Sequence, residues 1–211
     1  MKASNFFPIL SLLISNLIPV YGVLFWGWKV FPILVTYWLE NVTVGFWNVF
    51  KIKKCVGEGK LPPGVIAVKD SYVASSSKKF LVGFFVVHYG IFTFVHGILL
   101  FTFFGLATQE KINPGEIVIA FIFLLISHGI SYYTNFLGRE EFRQNSATQQ
   151  MFKPYSRIIV MHLVIIFGAF IVLSTGSSTQ VLLLLVGMKI IVDLASHLFE
   201  HKFRIIPGNT A

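Results

Sequence analysis

Residues 80–106 read FLVGFFVVHYGIFTFVHGILLFTFFGL, 27 consecutive positions without an Asp, Glu, Lys or Arg. A helix crossing the hydrocarbon of a bilayer needs about 20 mostly apolar residues, and this stretch exceeds that. Its apolar character is continuous rather than alternating, which argues against a membrane strand. Working outward, five more blocks of similar composition appear: Asn5–Phe25, Val30–Phe50, Glu116–Leu137, Arg157–Thr175 and Gln180–Phe203. With Phe80–Leu106 they predict an all-α fold, a polytopic bundle of six transmembrane helices forming one domain over residues 1–211. The whole composition agrees: 55% of residues are hydrophobic and 12% charged, where soluble domains carry about 25% charge.

The formal net charge of +8 does not point to nucleic acid, because the Lys and Arg residues sit between apolar blocks rather than on one basic face. Their placement instead sets orientation. Lys51, Lys53, Lys54, Lys60, Lys69, Lys78 and Lys79 crowd the second connection, and Arg139, Arg143, Lys153 and Arg157 flank the fourth. Lys2, Lys202 and Arg204 share that side, which leaves only Lys29 and Lys111 opposite. Both termini are therefore expected in the cytoplasm. The N-terminal block has only Lys2 before it and no small-residue cleavage site after it, so it reads as a retained, peripheral first helix kinked at Pro19. The single cysteine, Cys55, excludes an internal disulfide or a multi-cysteine metal site and reads as a bystander in a Lys-rich loop.

Polar chemistry is concentrated inside the blocks. All six histidines, His88, His96, His128, His162, His197 and His201, fall within the predicted spans or at their edge. At 1.5 Å rise per residue, five helices each bring a metal-competent group to within roughly 10 Å of the bilayer centre. Glu40 is central in the second span and Asp193 in the sixth. A charge at that depth costs about 2.5–3.5 kcal/mol on insertion scales, so it faces the interior and finds a partner. Imidazole and carboxylate together suit a transition metal, zinc first and iron second. The expected main ligands are His88, His162, Asp193 and His197, the last two one helical turn apart. His96 and His128, with Glu40, form a second site or an outer shell, and Glu40 is alternatively a general base. Each group also has a plainer reading. A lone histidine in a span commonly hydrogen-bonds a neighbouring helix. Lys189 can neutralise Asp193, and Asn41, Thr43 or Asn48 can satisfy Glu40. The pairs His96-Gly97 and His128-Gly129 allow close helix approach under either reading.

Several blocks carry a resemblance: Tyr37-Trp38-Leu39-Glu40-Asn41 with Gly45 and Asn48-Val49-Phe50-Lys51; Val87-His88-Tyr89-Gly90 with His96-Gly97; Ser127-His128-Gly129 with Asn135-Phe136-Leu137-Gly138-Arg139; Lys153-Pro154-Tyr155 through His162; and Lys189 through Asp193 to His197. Together they resemble a prokaryotic family of integral membrane proteins of unknown function. That implies six helices, a shared polar core and a multi-pass protein of a prokaryotic inner membrane, and it implies no activity. A looser likeness of site alone is to membrane hydrolases of the alkaline ceramidase and adiponectin-receptor type, whose intramembrane zinc is bound by three histidines beside an Asp and a Ser. Asp193 and His197 match that arrangement, whereas Phe84 stands where the serine is expected.

Three functions follow as expectations. One is a membrane metalloprotein, a metal-dependent hydrolase or oxidase acting on a lipid-like molecule. Another is electron transfer through haem b held by His88, His128 and His162 in the manner of six-helix b-type cytochromes. The third is movement of protons or metal ions along the His, Glu and Asp chain. The bilayer is the expected partner, and Phe- and Leu-rich surfaces also permit a homo-oligomer.

Overall fold

The chain's structure, a computed structural model, describes residues 17–57, 76–106, 112–175 and 179–191. These residues are helical with no strand among them. In chain order the helices are α1 Leu17–Trp26, α2 Val30–Lys54, α3 Ser76–Leu100, α4 Pro114–Ser131, α5 Glu141–Gln144, α6 Ala147–Phe152, α7 Tyr155–Thr175 and α8 Thr179–Ile191. Both α3 and α4 run on into a π-helical turn, at Phe101–Gly105 and Tyr132–Leu137. Three runs, Lys78–Gly105, Pro114–Leu137 and Ala147–Thr175, are long and apolar enough to cross a membrane.

Local chemistry explains where these helices start and turn. The α1–α2 corner is closed by Trp28 N–H donating to the Gly22 carbonyl at 3.0 Å. Gly27 there takes φ +67°, a left-handed conformation that glycine adopts without steric cost. At α4, Asn113 accepts from Gly115 N–H at 3.0 Å and Pro114 occupies the first turn, a position where a missing N–H is harmless. The connection expected between spans four and five contains two short helices, α5 and α6. Ser146 and Gln149 start α6 with a reciprocal capping box, so two otherwise orphaned backbone donors are satisfied. The helix expected from Arg157 therefore belongs to a longer run, Ala147–Thr175, interrupted only by the Lys153–Pro154 turn.

Helix α2 lies at the centre and touches α3, α4, α6 and α7. Tyr37, Leu39, Asn41, Thr43 and Gly45 are all buried. Residues two apart on a helix differ by about 200°, so these five cannot share one face, and α2 is packed on more than one side, with Phe46 and Phe50 left exposed toward its C-terminal end. The outer surfaces of the neighbours are apolar, with Phe80, Phe94, Phe123, Ile126, Phe170 and Leu173 all exposed. A polar centre inside an apolar exterior is the arrangement that lipid demands.

One device docks both α3 and α4 on α2. Trp38 lies over Gly97 and donates its indole N–H to the Thr93 carbonyl at 2.7 Å. Trp47 lies over Gly129 and donates to the Leu125 carbonyl at 3.1 Å. In each case the acceptor is four residues before the glycine, and the glycine follows a histidine. A Cβ at Gly97 would come within 2.7 Å of the Trp38 ring, and one at Gly129 within 2.8 Å of Trp47.

Cys55, read from sequence as a bystander in a Lys-rich loop, is fully buried at the C-terminus of α2. Val56 and Gly57 there donate to the Phe142 and Asn145 carbonyls. Burial pushes the Cys55 thiol above its ordinary pKa, with Lys153, Lys78 and Lys51 opposing the shift in part.

The glycine contacts are testable. Gly97→Leu and Gly129→Leu should each destabilise the purified protein by about 1–3 kcal/mol, the usual range for overpacking, and lower the thermal midpoint in detergent. Gly83→Leu, at a glycine with open space around it, should leave that midpoint close to wild type. Equal effects at all three positions would contradict the docking scheme.

Candidate functional site

Glu40 is interior to α2, about 15 Å from one end and 21 Å from the other at 1.5 Å per residue. The group that neutralises it is Arg157, near the start of α7. The guanidinium Nη1 is 2.9 Å from Glu40 Oε1, and the two side chains are 30% and 19% exposed. This overturns the expectation that Arg157 is a topogenic charge at the flank of a connection. It also answers how Glu40 is satisfied: by an arginine from a distant helix rather than by Asn41, Thr43 or Asn48. Asn41 and Thr43 leave their own buried side-chain atoms unpartnered.

His128 of α4 completes the cluster, with Nε2 3.9 Å from the same Glu40 oxygen. Its other ring nitrogen, Nδ1, is 3.0 Å from the Leu124 carbonyl. A carbonyl only accepts, so Nδ1 carries the hydrogen, and in the neutral ring Nε2 presents its lone pair toward Glu40. Three helices thus bring a carboxylate, a guanidinium and an imidazole together.

Two cavities meet this cluster from opposite ends of the bundle. The larger, of about 690 Å³, opens among Trp28, Lys29, Asn113 and Glu116 and reaches inward to Tyr37, Glu40 and Lys189. The smaller, of about 240 Å³, is lined by Trp47, Asn48, Lys51, Ser131, Gln150 and Lys153 and reaches His128 and Arg157. The first is lined from the starts of α2 and α4 inward, the second by the C-terminal halves of the same two helices. Glu40 faces the first cavity, Arg157 and His128 the second, and the ion pair stands between them.

The remaining predicted site residues fall in separate places. His96 Nε2 is 3.1 Å from His162 Nδ1; the His96 ring is buried, whereas His162 is exposed at the bundle surface. His88 Nδ1 is 2.9 Å from the Tyr155 hydroxyl, and its ring stacks on Phe84 at 5.0 Å. His88, His96, His128 and His162 therefore divide among three partnerships. Among the described residues, no three His, Cys, Asp or Glu side chains gather as a metal-binding group. Asp193, His197 and His201 lie outside the described residues, as does Glu200. Lys189, the alternative partner named for Asp193, holds its Nζ 5.2 Å from the Tyr37 ring centre.

The sequence reading missed Arg157, Tyr155 and Gln150. Only Arg157 carried a usable signal, being the one cation able to enter a span that begins at its own position.

Residues 2–204 match a family of unknown function, DUF6498, and the chain belongs to that family. No curated protein and no solved structure matches it.

The ion pair makes its own prediction. Removing one partner of a buried pair strands the other charge and costs about 3–5 kcal/mol. Glu40→Gln alone and Arg157→Gln alone should each lower thermal stability in nanodiscs, and the double variant should be more stable than either single one. Strictly additive losses would mean that the two side chains do not depend on each other.

Proposed function

We propose that the protein is a six-span, multi-pass membrane protein that moves protons across the bilayer through the Glu40–Arg157–His128 cluster. In this reading both termini and the Lys-rich connections face the cytoplasm, the larger cavity opens outward and the smaller inward. The observation that carries it is the pair of cavities ending on opposite sides of one ion pair. A proton reaching Glu40 from the outer cavity neutralises the carboxylate and weakens its hold on Arg157. The His128 Nε2 lone pair, 3.9 Å away, accepts that proton and passes it to the inner cavity, where Ser131 and Gln150 line the route. Intramembrane ionisable groups with named partners are the usual elements of proton relays.

A second reading, a membrane metalloprotein, is favoured by one specific observation. The His96 and His162 rings meet across α3 and α7, and the buried His96 Nδ1 has no hydrogen-bond partner. A transition metal such as zinc or iron would draw on His96 and His162, with Asp193 and His197 as the further candidates. When bound it would supply Lewis acidity for hydrolysis of a lipid-like molecule. Metal content after purification without added ions tests this reading, and stoichiometric metal lost in a His96→Ala variant would support it.

The proton reading is tested in liposomes loaded with a pH-sensitive dye. Wild-type protein should dissipate an imposed pH gradient, Glu40→Gln should slow this by about tenfold or more, and His128→Ala should slow it as well. Flux equal to protein-free liposomes, or flux indifferent to Glu40→Gln, would overturn it.

A further inference from the structure

We propose that the smaller cavity is a binding site for a small oxyanion that still carries a hydroxyl, hydrogenphosphate being the simplest, and that this anion competes with Glu40 for Arg157. Among the described residues, three cationic side chains, Lys51, Lys153 and Arg157, line the cavity, and no acidic side chain does. Among the described residues neither lysine has a carboxylate within ion-pair distance. Lys51 instead rests its Nζ 5.4 Å from the Phe136 ring centre. A concentration of like charge around a concave polar space is held most favourably with an anion in it.

The buried amides say which kind of anion. Asn48 and Gln150 are 2% and 3% exposed and bond to each other, Gln150 Nε2 donating to Asn48 Oδ1 at 2.7 Å. Among the described residues, that leaves Asn48 Nδ2 as an unpartnered donor and Gln150 Oε1 as an unpartnered acceptor. Rotating both amides exchanges the roles but still leaves one donor and one acceptor. A buried polar group without a partner costs about 1–3 kcal/mol. A halide satisfies only the donor. An oxyanion with a retained hydroxyl satisfies both, accepting from the amide N–H and donating to the amide oxygen. Phosphate free in the cytoplasm and a phosphomonoester lipid headgroup share this chemistry.

Arg157 links the site to the ion pair, because its guanidinium lines this cavity while Glu40 holds it. An anion that recruits the guanidinium leaves Glu40 short of its counter-charge and favours its protonation. This coupling rests on the proton reading above; the anion site itself does not.

The test uses the full chain in nanodiscs and its own reporter, since Trp47 lines the cavity. Inorganic phosphate is titrated at constant ionic strength and neutral pH while tryptophan emission is followed, with sulfate and chloride as parallel arms. Phosphate should give a saturable change that Trp47→Phe removes, with sulfate weaker and chloride silent. Lys153→Gln, at an exposed position, and Asn48→Leu should each weaken binding about tenfold. Glu40→Gln, which releases Arg157, should tighten it. Nanodiscs containing phosphatidic acid separate the two sources: a blunted response to free phosphate there assigns the site to a headgroup, and an unchanged one assigns it to the soluble anion. Identical responses to phosphate and chloride, or wild-type affinity in Lys153→Gln, would overturn the proposal. Because the readout is binding, its failure leaves the liposome flux result standing.

Discussion

A carboxylate and a guanidinium held 2.9 Å apart inside an apolar shell constrain everything around them. Neither ion is tolerable alone in such a setting, and their attraction offsets the loss of water only when the two are held close. The pair comes from α2 and α7, far apart in sequence, so the two helices must keep one relative register. Partial exposure to the cavities on either side lowers the desolvation cost further. The same exposure gives the pair chemical meaning, since an ion that sees space on both sides can exchange with both.

Packing distributes rigidity unevenly around this centre. Helix α2 is buried on more than one face, and the apolar core of Leu34, Val35, Met161, Ile165, Leu182 and Leu185 joins it to α7 and α8. The α4 run is different: only 6% of its most apolar window is buried, and its contact with α2 depends on the Trp47–Gly129 seat. His128 directly precedes that glycine. The imidazole thus rides on the least buried of the three long apolar helices, next to a carboxylate on the most buried helix. Segments with few buried contacts rearrange at lower cost than well-packed ones, so His128 sits on the more easily displaced side of this contact.

Much of the fold was legible because burial in lipid depends on composition, and composition is printed in the chain. The blocks at Phe80–Leu106, Glu116–Leu137 and Arg157–Thr175 correspond to the three long apolar helices. Glu40 was legible for the same reason, as a charge in the wrong solvent. The short helices α5 and α6 were missed, although the Ser146-x-x-Gln149 capping pattern was there to be read. Arg157 was misread because it stands at a boundary, where one residue's difference separates a loop charge from an interior partner. The division of the histidines into His96–His162, His88–Tyr155 and His128–Glu40 depends on how each helix is rotated about its axis. Spacing along one helix carries no information about its rotation relative to another. Position along a helix could be read from sequence, but partnership could not.

The central claim, two compartments parted by one ion pair, is tested most directly by asking from which side each cavity is reached. In a Cys55→Ser background, Thr36→Cys reports the larger cavity and Ser131→Cys the smaller. A membrane-impermeant thiol reagent applied to intact cells, and to inverted vesicles, should modify the first only from outside and the second only from within. Labelling of both positions from one side would contradict the account.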